Sequence, residues 1–170
     1  MRRKTVDLRN ASLSHAAWTA RVADALRAGG KTVTEADPAD RWHLAVDGRP
    51  VRVVTDNRLA ETGNVALEIV GHFAAGRPGV ALEAVDWWVY VDTVREVGLL
   101  LHLPSLRAVV AASDQTPRVT WATGSDGRET VRTLSLLVPL AALRAGMPRG
   151  RWSEFSLQPA APSAAQPSLL

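Results

Sequence analysis

Val51 to Val91 reads VRVVTDNRLAETGNVALEIVGHFAAGRPGVALEAVDWWVYV. Three runs rich in β-branched and aromatic residues, Val51 to Thr55, Val65 to Val70 and Trp87 to Val91, are each read as a strand. Thr62-Gly63-Asn64 breaks the first pair, and a loop with Gly76, Pro78 and Gly79 leads to a short helical turn near Leu82 to Val85. Asp56 ends the first strand and Glu68 lies on the second, which is expected to be its neighbour. A pair of carboxylates on one sheet face is how a protein holds a divalent metal over a phosphodiester.

Working outward, Ser14 to Ala28 is an amphipathic helix. Trp18, Val22 and Leu26 recur every fourth residue, Ser14 can cap it, and Gly29-Gly30 ends it. Trp42 to Val46 alternates as a strand, and Asp47-Gly48-Arg49-Pro50 turns it into Val51 as a hairpin. Beyond Val91 come a strand at Val97 to Leu103, a helix from Pro104 to about Ala112, and a strand at Arg118 to Ala122. A turn at Gly124 to Gly127, a strand at Thr130 to Val138 and a short helix from Pro139 to Ala145 follow. The order is that of a mixed α/β domain with a central sheet. It is expected to span residues 1–155, with residues 156–170, rich in Pro, Ala, Ser and Gln, as a disordered tail.

The composition removes several kinds of chemistry. With no cysteine among 170 residues, disulfide scaffolds, thiolate zinc sites and cysteine nucleophiles are excluded. The basic start MRRKTVDLRN has no apolar core behind it, and no run reaches the length of a membrane span, so a soluble cytoplasmic protein without a membrane partner is expected. A pI of 10.1 reflects the dominance of arginine, since the net charge is only +3. Arg2, Arg3, Lys4 and Arg9 crowd the start, and Arg144, Arg149 and Arg151 crowd the end of the domain; both clusters can neutralise phosphates. Serine-nucleophile motifs, a Walker loop and dinucleotide glycine fingerprints are absent, and the four histidines show no paired metal spacing.

Strand parity assigns faces. Arg52, Val54 and Asp56 share one face of their strand; Ala66, Glu68 and Val70 lie opposite the apolar set Val65, Leu67 and Ile69; His43 lies opposite Trp42 and Leu44. His43, Arg52, Asp56 and Glu68 can then converge on one face if no bulge shifts the register. Asp56 and Glu68 are the candidate catalytic and metal-binding residues. Arg52, His43 and Arg58 are the candidate DNA contacts. The alternatives stay open: Asp56 can cap the turn with Asn57, and Glu68 can sit on a solvated face beside an arginine. Trp87 and Trp88 face opposite sides of one strand, so one belongs to the core and the other is covered by a helix or stacks on a base.

Thr55 to Glu68, TDNRLAETGNVALE, followed by PGV and DWWVY (Pro78 to Tyr90), resembles a phage and bacterial branch of the PD-(D/E)XK, restriction-endonuclease-like nuclease superfamily. LHLPSLRAVV and LSLLVPLAALRAG resemble its C-terminal half, and the similarity runs from about Trp18 to Gly146. The resemblance implies a central mixed sheet flanked by helices, a magnesium-dependent endonuclease or exonuclease chemistry, and DNA as partner. It also exposes departures. Related chains tend to read E-V-K-T-D where this one has Arg52-Val53-Val54-Thr55-Asp56, and the earlier aspartate falls near His43. If Asp56 and Glu68 are the ligands instead, the lysine position falls on Val70. Only Lys4 and Lys31 exist, and neither lies on a strand of the site. Magnesium needs only one or two carboxylates. Losing the positive group beside the nucleophile costs about two to three powers of ten in rate. Arg52 is a poor proton acceptor and better suited to binding phosphate. The expectation is a DNA-associated protein with a degenerate or weak centre, or a noncatalytic DNA- or protein-binding module.

Overall fold

The computed structural model of the chain describes residues 13–37, 42–72, 77–78, 85–112, 116–123 and 130–158. Helix α1, His15–Ala28, starts where Ser14 accepts a hydrogen bond from the Ala17 amide and stops at Gly29, as the sequence expects. It buries Trp18, Val22, Ala23 and Leu26. Strand β1, Val33–Glu35, follows, and then the hairpin of β2, Leu44–Val46, and β3, Arg49–Asp56. Both residues of its turn have positive φ, 50° at Asp47 and 75° at Gly48, which is the backbone twist a tight hairpin requires. Helix α2, Leu59–Thr62, is a single turn closed by Gly63 at φ 67°. The remaining elements are β4, Asn64–His72; β5, Arg77–Pro78; β6, Trp87–Asp92; β7, Val97–His102; α3, Leu103–Ala111; β8, Arg118–Thr123; β9, Thr130–Pro139; α4, Leu140–Gly146; and β10, Trp152–Ser156.

The chain is mixed α/β, but it forms two sheets where one was expected. The larger has the order β1-β2-β3-β6-β7-β10, the smaller β5-β4-β9-β8. Among the described residues of the larger sheet only β3 and β6 run parallel, with Val51 opposite Trp87 and Asp56 opposite Asp92. The expected neighbourhood of the Asp56 and Glu68 strands is therefore corrected: β4 pairs with β9 along Asn64 to Val70 and does not pair with β3. The register also shifts between Glu68 and Val70, a bulge that breaks simple parity at Ile69.

One face of the larger sheet, with Leu44, Val51, Val53, Val89 and Val91, packs on α1. Burying Trp18, Val22 and Leu26 there removes three large apolar side chains from water, roughly 2 kcal/mol each before entropy. The other face, with Trp88, Tyr90, Leu99 and Leu101, packs on Leu59, Val65, Leu67, Leu103, Leu106, Val138 and Leu143 from α2, β4, α3, β9 and α4. The smaller sheet and three helices thus cover the face on which the candidate site was expected. The expected domain boundary at residue 155 falls inside β10, and Leu157 beyond it is buried with its amide bonded to the Glu96 carbonyl at 2.8 Å. The expected helical turn over Leu82 to Ala84, the turn at Gly124 to Gly127 and the tail from Pro159 onward lie outside the described residues. Among the described residues no helix is long and apolar enough to cross a membrane.

Candidate functional site

The ends of the two parallel strands bring Asp56 and Asp92 side by side. Such carboxyl ends are where open α/β sheets present ligands. Asp56 is half-buried and both of its oxygens have partners: Oδ1 accepts the Arg58 amide at 2.6 Å, and Oδ2 accepts the Tyr90 hydroxyl. The Tyr90 oxygen in turn accepts the Ala66 amide of β4 at 3.0 Å. One relay, amide to phenol to carboxylate, therefore ties the smaller sheet to the larger. Burial, then the Asp56 charge beside it, pushes the Tyr90 hydroxyl well above the ordinary tyrosine range, and the Glu68 charge acts in the same direction. Tyr90 keeps its proton and cannot serve as a base near neutral pH.

Glu68 belongs to this neighbourhood through the second sheet, opposite Ser135 of β9. Asp92 is buried, with Oδ1 accepting the amides of Val94 and Arg95 at 3.0 Å each. Its Oδ2 accepts no hydrogen bond and lies 3.6 Å from the Arg95 guanidinium, which donates to the Ala60 carbonyl at 3.1 Å. A cleft of about 20 Å³ opens beside it, lined by Leu59, Asp92, Arg95, Leu140, Arg144 and Glu154. That is room for about one water. Its charges balance, since Arg95 faces Asp92 and Arg144 pairs with Glu154.

The other expected contacts, His43 and Arg52, sit toward the opposite end of β3. Four residues of strand separate Arg52 from Asp56, roughly 13 Å at about 3.3 Å per residue. His43 Nδ1 accepts the Val53 amide at 3.0 Å, and His15 Nε2 of α1 bonds the Val53 carbonyl at 3.1 Å. These bonds fix the tautomers, with the proton on Nε2 in both rings. The rings meet edge to face at 4.6 Å. Burial, then His15, then Arg52 lower the His43 pKa to about 4, so the ring is neutral at physiological pH. Arg52 is half-buried on the face of Trp88, its register partner. Arg58 is exposed and reaches toward Glu61 at 3.7 Å.

The structure thus bonds Asp56 to Tyr90, places Glu68 on β4 two residues past the Ala66 amide that also meets Tyr90, and leaves His43 and Arg52 toward the other end of β3. Val54, one of the two lysine positions, packs on the inner core. Val70, the other, pairs with Leu134 after the bulge. Lys31 is bound to Asp47 at 2.9 Å, and Lys4 lies outside the described residues. Among the described residues no group of three or more His, Asp or Glu side chains is placed to share a metal ion. Tyr90 and Asp92 carry the local geometry and were missed as site residues. The DWWVYVD run contained the signal, because parity from the core residue Trp88 puts both on the face of Asp56. No protein-family model, no curated protein and no solved structure matches the chain.

Proposed function

We propose that the chain is a non-cleaving DNA-binding module on a restriction-endonuclease-like scaffold. The observation that carries this reading is the commitment of Asp56 to structure: one oxygen holds the Arg58 amide and the other the buried Tyr90 hydroxyl. Each hydrogen bond occupies a lone pair that a magnesium ion would otherwise take. Val54 in the core in place of a lysine supports the same reading, because no ammonium stands beside an attacking water. DNA as the partner is supported by arginines at the surface, among them Arg49, Arg149 and Arg151, all exposed. The alternative, a magnesium-dependent phosphodiesterase built on Asp56 and Glu68, draws on one observation: both carboxylates bear on the same Tyr90 hydroxyl.

Supercoiled, linear and branched DNA incubated with the protein in magnesium or manganese separates the two, with Asp56→Asn and Glu68→Gln alongside. The expected result is binding without cleavage. About four phosphate contacts would weaken duplex binding roughly 100-fold between 50 and 200 mM salt. Cleavage lost in both variants would establish the phosphodiesterase. Failure to bind DNA at low salt would assign the module to a protein partner.

A further inference from the structure

One end of the larger sheet carries a row of four side chains outside the site above. Parity places them together: Arg49 lies two residues before Val51 on the same face of β3, Val51 is opposite Trp87, and Trp87 is opposite His102. The row continues to Arg151, whose carbonyl accepts the His102 amide at 2.9 Å. Arg49 and Arg151 are exposed, while Trp87 and His102 are half-buried. The Trp87 and His102 rings meet at 4.9 Å with a 55° tilt, and Trp87 also packs against the α1 cluster, so the pair presents its outer edges, with exposed Arg49 and Arg151 at the two ends of the row. His102 is oriented by Ser105, with its Nδ1 2.8 Å from the Ser105 hydroxyl. Burial, then Arg151 and, last, Arg49 lower the His102 pKa, and Asp86 opposes them. Helix α3 begins at Leu103, so the positive end of its dipole opens at the same corner.

Resting on the DNA-binding reading, we propose that this row is a docking surface for single-stranded DNA, with a base stacked on the open part of one of the two rings and neighbouring phosphates held by Arg49 and Arg151. The chemistry favours a strand over a duplex. A stacking surface needs an unpaired base with its face free, whereas paired bases bury theirs. Charge complementarity with the two arginines calls for an anionic occupant, and the ring pair for one that also carries flat rings, which the aliphatic carboxylates of an acidic peptide do not.

The test is fluorescence anisotropy of a labelled oligothymidylate, the matching duplex and an oligouridylate, with wild type, Arg49→Gln/Arg151→Gln, Trp87→Leu and His102→Gln. Wild type is expected to bind oligothymidylate more tightly than duplex. Trp87→Leu should weaken that binding about tenfold, the scale of losing one stacked base. Arg49→Gln/Arg151→Gln, two surface substitutions that leave the core intact, should lower the slope of log affinity against log salt by about 1.4. A His102→Gln variant that melts like wild type yet binds less tightly separates stacking from folding. If wild type binds DNA but the variants bind equally well, or duplex is preferred, the docking surface is overturned while the DNA-binding reading stands. Tighter binding of oligouridylate overturns the assignment to DNA. If wild type binds none of the probes, the DNA-binding reading itself fails.

Discussion

Tyr90→Phe removes one oxygen and should cost far more than a surface hydroxyl, because that oxygen is both acceptor and donor in the relay joining the two sheets. In wild type the Ala66 amide donates to the phenol at 3.0 Å and the phenol donates to Asp56. The variant leaves the Ala66 amide facing a phenyl ring, a loss of about 1–3 kcal/mol for a buried donor without a partner. Asp56 also loses a hydrogen bond to a charged oxygen, but it is half-exposed and water can replace part of it, so about 1 kcal/mol is the fair figure there. Together these give about 2–4 kcal/mol, or a fall in Tm of roughly 5–15 °C at this chain length. Urea melts at pH 7 measure the first number, and hydrogen exchange measures the cause: the Ala66 amide should lose protection before its neighbours on β4. A cycle with Asp56→Asn should show a coupling of about 1 kcal/mol. The Tyr90 pKa is raised in the fold, so the contribution is fully present below the unfolded value near about 10 and lost as pH rises above it. A variant within about 0.5 kcal/mol of wild type, with Ala66 still protected, would refute the relay.

Three further outcomes follow from other parts of the fold. The folded pKa of His43 lies at about 4, below its unfolded value, so stability is full above about pH 6.5 and declines as pH falls toward 4. The face-value loss of about 3.4 kcal/mol, discounted for partial exposure, becomes about 1–2 kcal/mol, and His43→Gln should flatten that part of the pH profile in chemical melts. Gly98→Ala would place a methyl group 2.5 Å from Cζ and 2.8 Å from Cε2 of Phe155, forcing the ring off the sheet. A loss of about 1–3 kcal/mol is expected, partly restored by Phe155→Leu in the same melts. Truncation after Gln158 should leave Tm unchanged. Truncation after Phe155 removes buried Leu157 and its bond to the Glu96 carbonyl, and should cost about 2–4 kcal/mol.

What the sequence made legible was local. Ser14 and Gly29-Gly30 bracket α1, Asp47-Gly48 forces the hairpin, and Pro104 opens α3, because each residue acts on the backbone within a few positions of itself. Helix α2 escaped notice because LAET, closed by Gly63, is too short to show a period. Strands β1 and β10 escaped for a different reason. They are the edges of the larger sheet, with exposure patterns that carry little alternation, and polar edges are how sheets avoid pairing with other chains. Sheet membership was the larger miss. The alternation of Val65, Leu67 and Glu68 says which side of β4 is apolar, but nothing in it distinguishes β9 from β3 as partner.

The same distinction governs the site. Asp56 and Glu68 could be picked out by residue type and position, but the partner of Asp56 is Tyr90, which residue type alone passes over. Once Tyr90 is in place, the consequences are linked. The Tyr90 phenol is buried where the smaller sheet is laid across that face, and the same packing leaves Val54 against the inner core. A lysine at Val54 would then have to bring its ammonium into apolar surroundings, at a cost of several kcal/mol unless it neutralised. The valine at position 54 and the engagement of Asp56 by Tyr90 are thus two aspects of one packing arrangement. At the other end of the sheet, away from that arrangement, Arg49 and Arg151 stand exposed beside the half-buried Trp87 and His102.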